Sequence, residues 1–134
     1  MGIDPGNKNI GFAICDENKK VATPYKIIKK GKFAILLDEI NLLIKENNIK
    51  GIVIGNPINM DGTMGQSSQS ATDFAKNLSK NITLPITLWD ERLSSVGAYK
   101  LSSQLDVNAV KKIKSIDKNA AAFILQGAID FINN

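Results

Sequence analysis

Acidic residues recur in four short segments of this 134-residue sequence, each time beside a glycine, a proline or a cation. The first is Asp4-Pro5-Gly6-Asn7-Lys8-Asn9-Ile10-Gly11, an acid at a strand end followed by a glycine turn. Such a turn lets a phosphate approach the backbone closely, and the acid can hold a hard cation beside it. An ordinary hairpin with a turn aspartate fits the same residues. The second segment, Asn56-Pro57-Ile58-Asn59-Met60-Asp61-Gly62-Thr63, follows an apolar strand and precedes a helix. Loops of that kind sit at the carboxyl ends of parallel strands, where ligands gather, although the same residue types also serve plain turn geometry. In the third, Trp89-Asp90-Glu91-Arg92-Leu93-Ser94-Ser95, two acids can ligate metal while Arg92 engages a phosphate. The competing reading is a surface Arg–carboxylate cluster with Ser94 or Ser95 capping the next helix. The fourth is Asp117, which shares a stripe of three- and four-residue spacing with Ala120, Ala121, Ile124 and Ala128 and so points inward. A plain N-cap is its alternative.

What the chain lacks narrows the chemistry. With no histidine there is no Ser-His-Asp triad, no histidine base and no imidazole-containing zinc centre. The single cysteine, Cys15, excludes an internal disulfide and a multi-thiolate zinc site, and its alternating apolar context predicts a buried structural thiol. Carboxylates, lysines, hydroxyls and a bound ion are left to act. Seventeen Lys and Arg against thirteen Asp and Glu give a formal charge of +4, which favours polyanionic partners. Lys111, Lys112 and Lys114, in a polar stretch from Ser102 to Ile116, are candidate backbone contacts for a nucleic acid, or simply a solvated face. Aromatic residues make up only 6% of the chain, so recognition by shape and backbone is expected rather than base stacking.

The elements that must position these groups follow from the apolar pattern. Gly2 to about Glu17 reads as a strand, a glycine turn over Gly6 to Asn9 and a second strand, and Val21 to Tyr25 as a third, placed at an edge by Pro24. Leu36, Ile40, Leu43 and Ile44 predict a helix over Phe33 to Asn47. The run Gly51 to Gly55 suits a parallel strand buried on both faces. A second helix carries Ala71, Phe74, Ala75 and Leu78 on one stripe; Pro85 to Trp89 is another strand, Val96 to Leu101 a short helix and Asp117 to Ile132 a terminal helix. The order predicts a single α/β domain over residues 1–134, an antiparallel hairpin joined to parallel strands. No apolar run approaches the roughly 18 residues a bilayer requires, and Met1-Gly2-Ile3-Asp4 opens no signal-peptide pattern, so a cytoplasmic protein without membrane contact is expected.

Taken together, the four segments resemble the YqgF (RuvX) family of RNase H-like nucleases. Asp4, Gly6, Lys8 and Gly11 look like its N-terminal pattern, Asn56 to Gly62 like its middle loop, Asp90-Glu91-Arg92 like its Asp-Glu-Arg segment, and Asp117, Ala120 and Ala121 like its terminal Asp-x-x-Ala-Ala. The resemblance implies a ribonuclease H-like fold: a mixed five-stranded sheet with helices on both faces. It also implies phosphodiester hydrolysis with magnesium, or manganese in its place, held by Asp4, Glu91 and Asp117. Lys8, Asn56 and Arg92 would contact substrate, with Lys111, Lys112 and Lys114 beside them. The family is described as maturing the 5′ end of pre-16S rRNA and, in an older description, as resolving Holliday junctions. The expected partner is thus structured RNA, alternatively branched DNA, bound by a monomer or a homodimer. Asn9 stands where the family carries Arg, which shifts the phosphate contact to Lys8, and the short first strand is expected to pair incompletely. Outside nuclease chemistry, an RNA-binding assembly module keeps the fold without catalysis. A sugar kinase or ATPase needs two such domains and fits the length poorly.

Overall fold

The computed structural model describes residues 1–58, 61–93 and 120–133. Their elements run β1 (Gly2–Pro5), β2 (Asn9–Cys15), β3 (Ala22–Lys29), α1 (Phe33–Asn47), β4 (Ile52–Asn56), α2 (Gln66–Ser79), β5 (Ile86–Asp90), a 3-10 turn (Glu91–Leu93) and α3 (Ala120–Asn133). The five strands form one mixed sheet in the order β3-β2-β1-β4-β5. β1, β2 and β3 are antiparallel neighbours, whereas β1, β4 and β5 run parallel. α1 and α2 are the crossover helices that parallel pairing requires. The C-terminal ends of β1, β4 and β5 therefore open on the same edge.

Alternation within the strands assigns the two faces. Ile3, Ile10, Phe12, Ile52 and Ile54 pack against Leu36, Ile40 and Leu43 of α1 and against Ala75 and Leu78 of α2. On the other face α3 lies across β1 to β4 and buries Ala121, Ala122 and Leu125 against Ala13, and Ile124 and Ala128 against Trp89. Asp4, next to Ile3 on β1, belongs to the α3 face, because its register partner is Gly11, beside which Ala121 packs.

α1 covers the residues predicted for it and stops at Asn48, whose left-handed φ of 51° ends the helix. β4 is buried along most of its length, as its β-branched run implies. β3 is an edge strand and extends to Lys29, beyond the predicted Tyr25; the register shift opposite Phe12/Ala13 leaves Tyr25 as the extra residue, next to Pro24, which brings no N–H to the ladder. Cys15 departs from expectation: it is only partly buried, because β2 ends there at the margin of the α3 contact. Phe74 packs against the core with its stripe but is only half-buried; it also lines a cleft, edge-on to Phe33 with ring centroids 6.4 Å apart.

The short first strand pairs fully with its hairpin partner: Gly2, Ile3, Asp4 and Pro5 each oppose a β2 residue. Gly2 and Ile3 also pair with Val53 and Ile54, and the Val53 N–H reaches the Met1 carbonyl at 2.9 Å. β1 is thus held by a strand on each side, and Asp4 is paired with Gly11 of β2. No helix among the described residues is long and apolar enough to cross a membrane. The predicted helix Val96 to Leu101, together with Ser94, Ser95, Lys111, Lys112, Lys114 and Asp117, lies outside the described residues.

Candidate active site

Asp4 and Glu91, 87 residues apart in sequence, line one cleft of about 530 Å³ at the C-terminal edge of the sheet. Its walls are the hairpin turn from Pro5 to Asn9, Lys30, Pro57, and Ser67, Ser70 and Phe74 of α2. This is the edge on which ligands gather in open α/β sheets.

Local sequence explains how each acid arrives there. Asp4 comes just before a turn closed by the Gly6 N–H donating to the Asn9 carbonyl at 3.0 Å. A Cβ at Gly6 would collide with that same carbonyl, so the tight return into β2 requires glycine. At the other side, Asp90 ends β5 and its Oδ1 accepts the backbone N–H of Arg92 at 3.0 Å, an aspartate turn that bends the chain into the 3-10 segment. The bend carries Glu91 inward, where it is 3% exposed. A carboxylate is costly to bury unless it is paired or coordinated, so packing alone does not call for Glu at this position.

The floor beneath the acids is made of glycine. A Cβ at Gly55 would lie 3.0 Å from Glu91 Oε1 and 3.2 Å from Ile124 Cγ1, with Ile124 Cδ1 closer still. A Cβ at Gly11 would touch Asp4 Cβ at 3.9 Å and Ala121 Cβ at 3.6 Å. Gly55 is therefore needed for Glu91 and α3 to occupy the same few ångströms over β4.

Asp90 and Arg92 form a unit of their own. Arg92 Nη2 donates to Asp90 Oδ2 at 2.6 Å, and Nε reaches both carboxylate oxygens at 3.0 Å. The guanidinium holds the Asp90 carboxyl below the usual carboxylate range, and Asp90 in turn raises Arg92 above the ordinary arginine value. The adjacent acids thus divide the work: Asp90 orients Arg92, and Glu91 turns to the cleft. Arg92 reaches toward the loop at Gly62, where the left-handed φ of 90° requires glycine and Asp61 accepts from both the hydroxyl and the N–H of Thr63. These Thr63 bonds, the hydroxyl foremost, lower the Asp61 carboxyl from its ordinary value. Asp61 is exposed and serves turn geometry.

Of the other sequence-predicted residues, Lys8 lines the cleft. Asn56 is buried at the end of β4, where its Oδ1 accepts from the Ser68 hydroxyl at 2.6 Å. Sequence reasoning missed Ser68, Lys30 and the cleft-facing Ser67, Ser70 and Phe74. The signals were the polar run Gln66 to Ser70, which forms the first turns of α2, and the basic run Lys29-Lys30-Gly31-Lys32.

Two carboxylates without imidazole or thiolate make an oxygen donor set, which suits a hard divalent cation. No group of three or more metal-binding side chains assembles among the described residues. Asp4 and Glu91 are the pair they supply.

Comparison with known proteins identifies the family and the fold. A model of the RuvX family, described as Holliday junction resolvase, matches residues 1–131. A Pelagibacter ubique protein named "Putative pre-16S rRNA nuclease" is 60% identical over 134 residues, which cover 100% of this chain and 89% of the relative. A Rhodobacter capsulatus protein of the same name is 43% identical over 129 residues, 96% of this chain and 81% of the relative. Among solved structures, T. thermophilus RuvC in complex with Holliday junction substrate matches with a TM-score of 0.55 at 11% identity, covering 96% of this chain and 90% of that one. That likeness is one of fold, the RNase H-like fold.

Proposed function

The chain belongs to the RuvX family, a nuclease family, and on that premise we propose that it hydrolyses phosphodiester bonds in the 5′-end processing of pre-16S rRNA, using magnesium. The observation that carries this reading is the convergence of Asp4 and Glu91 on one cleft above a glycine floor. Asp4, rigid in the central strand, and Glu91, fixed by the Asp90 turn, would hold the ion, with Asp117 as the third carboxylate. When bound, such an ion lowers the pKa of a coordinated water and stabilises charge on the leaving oxygen. Lys8, on the tip of the hairpin, contacts the scissile strand through its ammonium. Arg92, pre-oriented by Asp90, meets a phosphate beyond the cleft, and Lys111, Lys112 and Lys114 add backbone contacts. Asn56 acts through the loop it braces, since its carbonyl is bound to Ser68 and its neighbour Pro57 forms the cleft wall.

A second reading, resolution of four-way DNA junctions, is favoured by the description of the matching family. It requires a dimer whose symmetry matches the junction. Both readings are tested by incubating end-labelled 16S-precursor 5′-leader RNA and a four-way DNA junction with wild type and with Asp4→Asn, with and without magnesium. Cleavage of one substrate is expected that needs both the metal and Asp4, falling by more than the roughly 10–100-fold that loss of an outer-shell partner costs. Undiminished cleavage by the folded variant removes Asp4 from the site. Binding without cleavage under every condition identifies a non-catalytic RNA-binding module.

A further inference from the structure

Half of the cleft takes no part in holding the acids. Its lining also includes Lys8, Lys30, Ile27, Phe74, Ser67 and Ser70. Lys8 and Lys30 are far apart in sequence, yet the Lys30 N–H donates to the Lys8 carbonyl at 2.8 Å, which fixes the two side by side where β3 leaves the sheet. Both are exposed. Asn9 pairs with Lys29 in the register, and Asp4 pairs with Gly11, so Lys8 and Lys30 stand three residues beyond Asp4 along the strands. That is about 10 Å, far enough to meet the strand away from the acids. The same cleft is lined by the half-buried ring of Phe74, which meets Phe33 edge-to-face.

Resting on the nuclease reading above, we propose that Lys30, paired with Lys8, seats the phosphate of the nucleotide flanking the scissile bond, and that Phe74 receives the apolar face of that nucleotide. The chemistry is that of a single nucleic acid strand meeting a cationic rim and a ring. A paired-lysine rim supplies charge to a phosphate without needing Arg at position 9, and the ring stacks on any base, since every base has a π-face. The site is a positioning one: it touches the substrate away from the reacting atoms, and it sets where along the strand Asp4 and Glu91 engage.

The test is equilibrium binding of fluorescently labelled 16S-precursor leader RNA and of a four-way DNA junction to the full chain in EDTA, which prevents cleavage, over a series of salt concentrations. Wild type is compared with Lys30→Gln, Lys30→Arg, Phe74→Leu and Lys50→Gln, the last an exposed lysine at the opposite edge of the sheet. Lys30→Gln is expected to weaken binding several-fold and to reduce the logarithmic salt slope by about 0.7–0.9, the contribution of one phosphate contact. Lys30→Arg should keep the slope, and Lys50→Gln should match wild type. Phe74→Leu should weaken binding with the slope unchanged, because stacking and not charge is lost, while circular dichroism confirms that the fold is intact. Wild-type affinity and slope in Lys30→Gln would overturn the proposal while leaving the Asp4-dependent reading standing. Failure of the wild type to bind either probe would overturn both.

Discussion

The two faces of the sheet are built from different residues for different ends. Against α1 and α2 the strands present Ile3, Ile10, Phe12 and Ile54, all essentially inaccessible, and the helices answer with Ile40, Leu43 and Leu78. Against α3 they present Gly11, Ala13 and Gly55 beside Val53 and Trp89, and the helix answers with Ala121 and Ala122 as well as Ile124, Leu125 and Ile129. Large branched side chains fill the first face throughout, so its contribution is volume and buried apolar area. On the second, small residues interrupt the large ones near the acids, so the helix approaches the strands closely there and a carboxylate finds room over Gly55. Stability and chemistry are thus separated across a layer one strand thick, and β1 carries both, with Ile3 on one side and Asp4 on the other.

The widest difference between the faces should appear on truncation of Phe12, which is 1% exposed in the packed layer. Phe12→Ala should lower the unfolding free energy by about 3–5 kcal/mol, read from the urea midpoint, while nuclease activity per folded molecule is retained. A loss under about 1 kcal/mol, or a loss of activity at full folding, would end the assignment of stability to that face. On the second face the harmful change is addition. Gly55→Ala forces a methyl group onto Ile124 and the Glu91 carboxylate, and is expected to cost about 1–3 kcal/mol and to reduce cleavage as well, because Glu91 must shift. Ile124→Val in the same chain relieves the clash with the helix but not with Glu91. Stability should therefore recover more than activity does, and equal recovery of both would show that Glu91 needs no such room.

Much of this division was legible in the sequence, since it is written in patterns with a physical period. The helical spacing of Leu36, Ile40 and Leu43 set α1 to the residue, and the β-branched run at Ile52 to Ile54 set a buried parallel strand. The acids at Asp4 and Glu91 were legible as strand-end carboxylates, and the structure brings both to one cleft. What was not legible depends on contacts between distant segments. That Asp90 serves Arg92 while Glu91 turns inward rests on the side-chain geometry of the turn, and neighbouring acids look alike in a sequence. Phe74 sits at helical spacing with Ala71, Ala75 and Leu78 and packs against the core with them, but that it also lines the cleft follows only from where the other segments end. Lys30 joins Lys8 only through the pairing of β3 with β2, which a charge run by itself does not reveal.

Asn56 stands on the boundary between the two halves and supplies the finest test of the division. Its Oδ1 accepts from Ser68, which is fully buried, so the pair ties the end of β4 to the first turn of α2 from inside the protein. If Asn56 belongs to the packed half, Ser68→Ala leaves a buried carbonyl oxygen without its donor and should cost about 1–3 kcal/mol. Asn56→Ala should cost a similar amount, and the double variant less than the sum, since removing both partners leaves nothing unsatisfied. The coupling measured by that cycle should lie within about 0.5–3 kcal/mol. Activity then separates positioning from direct contact. Ser68→Ala keeps the amide but loosens the loop that ends in Pro57, whereas Asn56→Ala removes the amide itself. Equal, modest rises in KM for the two variants, with kcat unchanged, place Asn56 behind the wall as a brace. A rise confined to Asn56→Ala places its amide on the substrate and moves the boundary of the reacting half one strand end inward.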